Sequence, residues 1–180
     1  MDTFRKIRKA TLPTLILLGC SSLAAAQELK QGSSEAFGYI GGIAYGGGAF
    51  TMGGGYSYAI RPLWLLNADL GFVTGGDNGL GALGFTSHGV GFGADVNYLF
   101  PLTAYPKFTP FVLGGFGIVH YSISCNGCLA VGGTAGGIAF GGGGRWQLGS
   151  NWGLRPEIRF LAGNGFATEF TGGVYYQFGK

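Results

Sequence analysis

Charge is what this chain has least of: Asp, Glu, Lys and Arg make up 11% of its 180 residues, against 47% hydrophobic ones. So apolar a chain is not a disordered one, which needs low hydrophobicity and high net charge to stay unfolded. Good helix formers are scarce beside 39 glycines, which excludes a helical bundle. Past residue 26 no run is apolar enough to cross a membrane as a helix. A basic field is missing as well. The first 26 residues hold four bases and one acid, and the remainder holds seven of each. No electrostatic footprint for nucleic acid is left.

The first residues are patterned for export. Arg5, Lys6, Arg8 and Lys9 precede a short apolar run, Leu12 to Leu18, and Ala24-Ala25-Ala26 before Gln27 fits a signal-peptidase site. Leu17-Leu18-Gly19-Cys20 offers a competing cut that would leave Cys20 as a lipidated first residue. Export implies an oxidising compartment. The expected organisation is a signal peptide over 1–26, a polar lead-in over 27–35 and one domain over 36–180.

Beyond the leader the dominant pattern is alternation with period two. In "GVGFGADVNYLF", Val90, Phe92, Ala94, Val96, Tyr98 and Phe100 share one face; Gly89, Gly91, Gly93, Asp95, Asn97 and Leu99 share the other. "WLLNADLGF" sets Trp64, Leu66, Ala68, Leu70 and Phe72 against Leu65, Asn67, Asp69 and Gly71. "WGLRPEIRF" opposes Trp152, Leu154, Pro156, Ile158 and Phe160 to Gly153, Arg155, Glu157 and Arg159. A solvated sheet face is seldom glycine with isolated charges. The lining of a narrow lumen is, because small residues let backbones crowd and charges inside pair with one another.

Eight such segments are predicted: 36–46, 51–60, 64–74, 86–100, 108–123, 129–148, 152–162 and 169–178. Each is long enough to cross a bilayer as a tilted strand. Connections after the even segments are short or contain proline, and those after the odd ones are richer in glycine. That is the pattern of an up-and-down barrel with tight turns at one end and looser loops at the other. An even strand number closes without leaving an edge. All three tryptophans, Trp64, Trp146 and Trp152, fall beside the tight turns, with Tyr98, Phe100 and Phe178 nearby. Indole and phenol rings favour a membrane interface, so these six are the candidate interface aromatics.

With "TPFVLGGFG" (109–117), "GGGGRWQLGSNWGLRPEIRF" (141–160) and the closing "GGVYYQFGK", the chain resembles the eight-stranded outer-membrane β-barrels of Gram-negative bacteria, the type that includes the membrane domain of outer-membrane protein A. The resemblance implies an all-β, eight-stranded antiparallel up-and-down transmembrane β-barrel, integral to the outer membrane. It further implies outer-membrane lipid and lipopolysaccharide as surroundings, the barrel-insertion machinery as a partner in biogenesis, a monomer, and no cofactor. The expected role is non-enzymatic, envelope-structural or surface-interacting through external loops.

Four motifs carry competing readings. Gly79 to Gly84 has the G-x-G-x-x-G spacing of a dinucleotide cradle, but "FTSHGVGFG" after it has period two where that site needs a helix. An external loop is the reading that fits. Arg155, Glu157 and Arg159 share one face, where Glu157 can be held by both arginines, with Arg145, Asp69 and Asp95 as partners from other strands. These six form a candidate lumen ion-pair cluster, either a pore lining or a structural plug, and an eight-stranded interior about filled by side chains favours the plug. Cys125-Asn126-Gly127-Cys128 places two cysteines around a tight-turn signal, a disulfide in the bland reading and a redox pair in the sharp one. No metal-ligand pattern accompanies them.

The fourth is His120-Tyr121-Ser122, which resembles the His-x-Ser pair of lipid A deacylases built on a similar barrel. It makes His120 and Ser122 the catalytic candidates of an alternative, lipid A-modifying reading. Ile123 stands where that family has asparagine, and no acid lies between Ser122 and Glu157. A narrow small-solute channel is the remaining alternative.

Overall fold

In the computed structural model, residues 29–44, 48–75, 85–125, 131–163 and 165–178 are described, the side chains of 85, 86, 124 and 125 excepted. Eight strands follow in order: β1 (Ser34–Ala44), β2 (Ala49–Arg61), β3 (Trp64–Gly75), β4 (Phe85–Leu99), β5 (Phe108–Cys125), β6 (Val131–Gln147), β7 (Trp152–Gly163) and β8 (Phe166–Phe178). Each pairs antiparallel with the next, and β8 returns to β1, giving a closed up-and-down barrel. The leader, the Gly79–Gly84 loop, Cys128 and the side chain of Cys125 lie outside the described residues, and with them the signal-peptide and disulfide expectations. The segments flanking the glycine motif are both strands of one antiparallel pair.

Ladder register sets the barrel's shape. Followed from strand to strand, Ser34 leads through Tyr58, Leu66, Val96, Gly114, Phe140, Phe160 and Thr168 back to Ala44, a stagger of ten residues (44 − 34) around eight strands. With ~3.3 Å per residue and ~4.8 Å between strands, that stagger tilts the strands by roughly 40°. At this tilt the three tryptophans come to one rim, although Trp64 and Trp146 are not in register with each other.

The two faces sort as the dyads require. Leu70, Phe72 and Phe92 stand exposed on the outside, with Val96 facing the same way. Asn67, Asp69, Asp95 and Asn97 are buried inside. Among the described strand positions that face outward the one charged residue is Arg61, exposed at the short-turn end of β2 in register with Trp64. An apolar surface running right round the molecule between its rims far exceeds what a soluble monomer exposes, and only hydrocarbon solvates it. Trp64, Phe100, Trp146, Trp152 and Phe178 are exposed at the short-turn rim together with Tyr98. Edge-on contacts link several of these rings: Trp64 with Tyr98 at 4.9 Å between centroids, and Tyr98 with Phe100 at 4.8 Å.

Inside, glycine makes room for particular neighbours. A Cβ on Gly93 would stand 2.6 Å from the Asp69 carboxylate, and one on Gly71 the same distance from the Tyr39 hydroxyl. Missing side chains on one strand are thus the space that large side chains from another strand fill.

Leu70→Arg, at mid-strand on the outer face, is expected to cost ~2–4 kcal/mol, the range for an arginine at the bilayer midplane. Leu70→Ala is expected to cost much less. Urea titration of the barrel folded into phosphatidylcholine vesicles reads both. Equal stability of the two variants would contradict a lipid-facing Leu70.

Candidate functional site

Period two places Arg155, Glu157 and Arg159 on the inner face of β7, and the same rule turns Asp69 of β3 and Asp95 of β4 inward to meet them. Arg159 is the hub. Its Nη2 donates to Asp95 Oδ2 at 3.1 Å and lies 2.9 Å from Glu157 Oε1, while Nη1 donates to Asp69 Oδ1 at 3.4 Å. A guanidinium suits this work because its five fixed N–H donors serve several carboxylates at once. Arg155 donates to Glu157 Oε2 at 3.0 Å, and its guanidinium carbon lies over the Phe37 ring, 4.4 Å from the centroid. Glu157 is therefore held by both arginines, one on each carboxylate oxygen.

Polar neighbours complete the layer. Asn67 Nδ2 donates to Asp95 Oδ1 at 2.6 Å, and the Tyr39 hydroxyl donates to Asp69 Oδ2 at 3.1 Å. Glu169 of β8 is buried in the same layer beside Tyr39 and Arg159, around a small void. Charge-assisted bonds of this kind hold a buried network only when its members are satisfied.

Arg145 belongs to a second centre. The sequence expectation offered it as a partner for Glu157; instead it pairs with Glu35 of β1, and its guanidinium lies 4.4 Å over the Tyr175 ring. It stands two residues nearer the short-turn rim than Gly143, the register partner of Glu157. Glu35 was not legible as a partner because it stood inside the expected lead-in.

That lead-in differs from a polar preface. Leu29 is buried to 2% exposure against Ala59, Leu65, Leu99, Phe111 and Leu113, all inward-facing at the short-turn end. Gly32 donates its N–H to the Ala59 carbonyl, Ala59 donates back to Ser33, and the Ser33 hydroxyl donates to Lys30 at 2.8 Å. The turn before β1 thus folds across the mouth with Leu29 as a stopper. A leucine among polar residues is the signal that could have found it.

His120 and Ser122, the catalytic candidates, both stand on the outer face of β5. His120 Nδ1 is 3.0 Å from the Thr134 hydroxyl, and no carboxylate shares that face among the described residues. The triad logic of a nucleophilic serine lacks its orienting acid here.

Comparison with known proteins gives the fold. No protein-family model matches the chain, and no curated protein matches it in sequence. It is similar to the N-terminal β-barrel domain of Pseudomonas aeruginosa OprF, at 17% identity and TM-score 0.66, over 83% of this chain and 100% of that one. It is also similar to the outer-membrane protein OprG of the same organism (12% identity, TM-score 0.61, 87% and 100%). A third is Ail, the attachment invasion locus protein of Yersinia pestis (14%, TM-score 0.58, 83% and 100%).

Removing Arg159 leaves Asp69, Asp95 and Glu157 buried without their common partner. Arg159→Met is expected to lose ~3–5 kcal/mol in urea unfolding, the cost of breaking a buried pair from one side. Adding Asp69→Asn and Asp95→Asn to that variant is expected to restore part of the loss. A triple variant no more stable than the single one would contradict the hub.

Proposed function

We propose that this chain is an integral outer-membrane barrel that acts as a non-conducting, non-enzymatic anchor, holding external loops at the cell surface for an envelope-structural or surface-interaction role. One observation carries the reading: the lumen is filled twice over, by the Arg159 ion-pair layer and by the Leu29 stopper at the short-turn mouth. A channel needs a continuous aqueous path, and a lumen enzyme needs a substrate cavity; side chains occupy the room that either would use. The similarity to OprF, OprG and Ail supports an outer-membrane setting for the fold, and the apolar belt of the outer surface supports the integral placement. Fold alone does not give function, so the reading rests on the closed lumen.

Purified barrel in planar bilayers is expected to show no stable conductance steps. Reproducible steps from the folded protein would overturn the anchor reading in favour of a small-solute channel. Lipid A from cells expressing the chain is expected to keep its acylation pattern by mass spectrometry. A lost acyl chain that depends on Ser122 would establish the enzyme instead.

A further inference from the structure

The chain has two histidines, and both stand on the outer face of the barrel, on neighbouring strands. His88 of β4 is in register with Thr74 of β3 on one side and Ser122 of β5 on the other. His120 of β5 is in register with Thr134 of β6. Each imidazole meets a threonine: His88 Nδ1 is 3.1 Å from the Thr74 hydroxyl, and His120 Nδ1 is 3.0 Å from the Thr134 hydroxyl. Together they form a polar row four strands wide, on a face whose one charged residue at the described strand positions is Arg61 at the short-turn rim.

We propose that this row is a binding site for the phosphorylated headgroup of an outer-leaflet lipid. Directly toward the short-turn end from the row, the outer face is Phe72, Leu70, Val90, Phe92, Ile118 and Phe116, all exposed. A lipid whose headgroup sits at the row lays its acyl chains down that apolar column. A soluble anion gains nothing from the column, and that continuity selects the lipid. Hydrogen-bond complementarity agrees, since an imidazole N–H donates to a phosphoryl oxygen, and the chain's two imidazoles both stand in this row. A threonine hydroxyl that donates to Nδ1 leaves the ring proton on Nε2, where it serves as a donor to a headgroup oxygen. Carboxylates, which would repel a phosphate or convert the pair into a metal site, are missing from the described outward positions.

The inference rests on the outer-membrane reading but not on the closed lumen. Its test is native mass spectrometry of the folded barrel in detergent, titrated with bis-phosphorylated lipid A, with dephosphorylated lipid A and with inorganic phosphate. The protein is expected to retain bis-phosphorylated lipid A at least five-fold better than His88→Gln/His120→Gln does, and to retain the dephosphorylated form no better than the variant. Heat-modified migration on gels confirms that the exposed double variant is folded. Equal retention of bis-phosphorylated lipid A by both proteins would overturn the site. Inorganic phosphate bound as tightly as lipid A would overturn the lipid as its ligand. Neither result would alter the conductance outcome, so failure here is distinguishable from failure of the anchor reading.

Discussion

Hydrocarbon offers a peptide group no hydrogen-bond partner, and every other feature of this molecule follows from that. A sheet immersed in it must pair all its N–H and C=O groups internally, which only a closed ring of strands achieves. Here the ring closes where β1 meets β8, in an unbroken ladder from Ser34 with Phe178 to Ala44 with Thr168. Closure with eight strands leaves an interior only as wide as facing side chains. The outer face must then be apolar between the rims, and charge at mid-strand has one place to go.

Charge sent inward is costly unless it is paired, and the lumen is arranged to pair it. Arg159 reaches from β7 across to β3 and β4, joining residues 90 and 64 positions away in the chain. Arg145 and Glu35 are joined across 110 positions. Glycine on the same faces supplies the width that rings and guanidiniums need, so the most featureless residue of the composition is what lets the bulky ones in. At the short-turn mouth the packing changes character: Leu29, Leu65, Leu99 and Phe111 form a small apolar core like that of a soluble protein. The lumen is thus closed by two different physical means, one electrostatic and one hydrophobic.

Much of this was legible in the residues because period two is a local property. The dyads in β3, β4 and β7 named the inner and outer faces residue by residue, and turn composition set the strand ends to within a few positions. Which residues meet across the lumen was less legible. That depends on the ten-residue stagger, a global quantity that no window of sequence contains. Glu157 between two arginines could be read because all three share one strand. Arg145 with Glu35 could not, because the pairing is fixed only when the ring closes. The Leu29 stopper escaped for a similar reason: one leucine in a polar stretch has no period. The outward stance of His120 and Ser122 was implicit in the strand parity; what their triad lacks among the described residues is a carboxylate on that face.

The seam between the first and last strands has a kinetic side. Its partners are the most distant in the chain, so its ladder forms after the seven others have brought the ends together, and contacts of such long range are slow to assemble. Until then β1 carries a naked edge, and Glu35 waits for an arginine on the sixth strand. The mouthpiece at Leu29 cannot seat before β5 supplies Phe111. Assembly is therefore a latch that engages once, at the end, and a nascent chain halted one strand short would own neither a finished wall nor a finished filling.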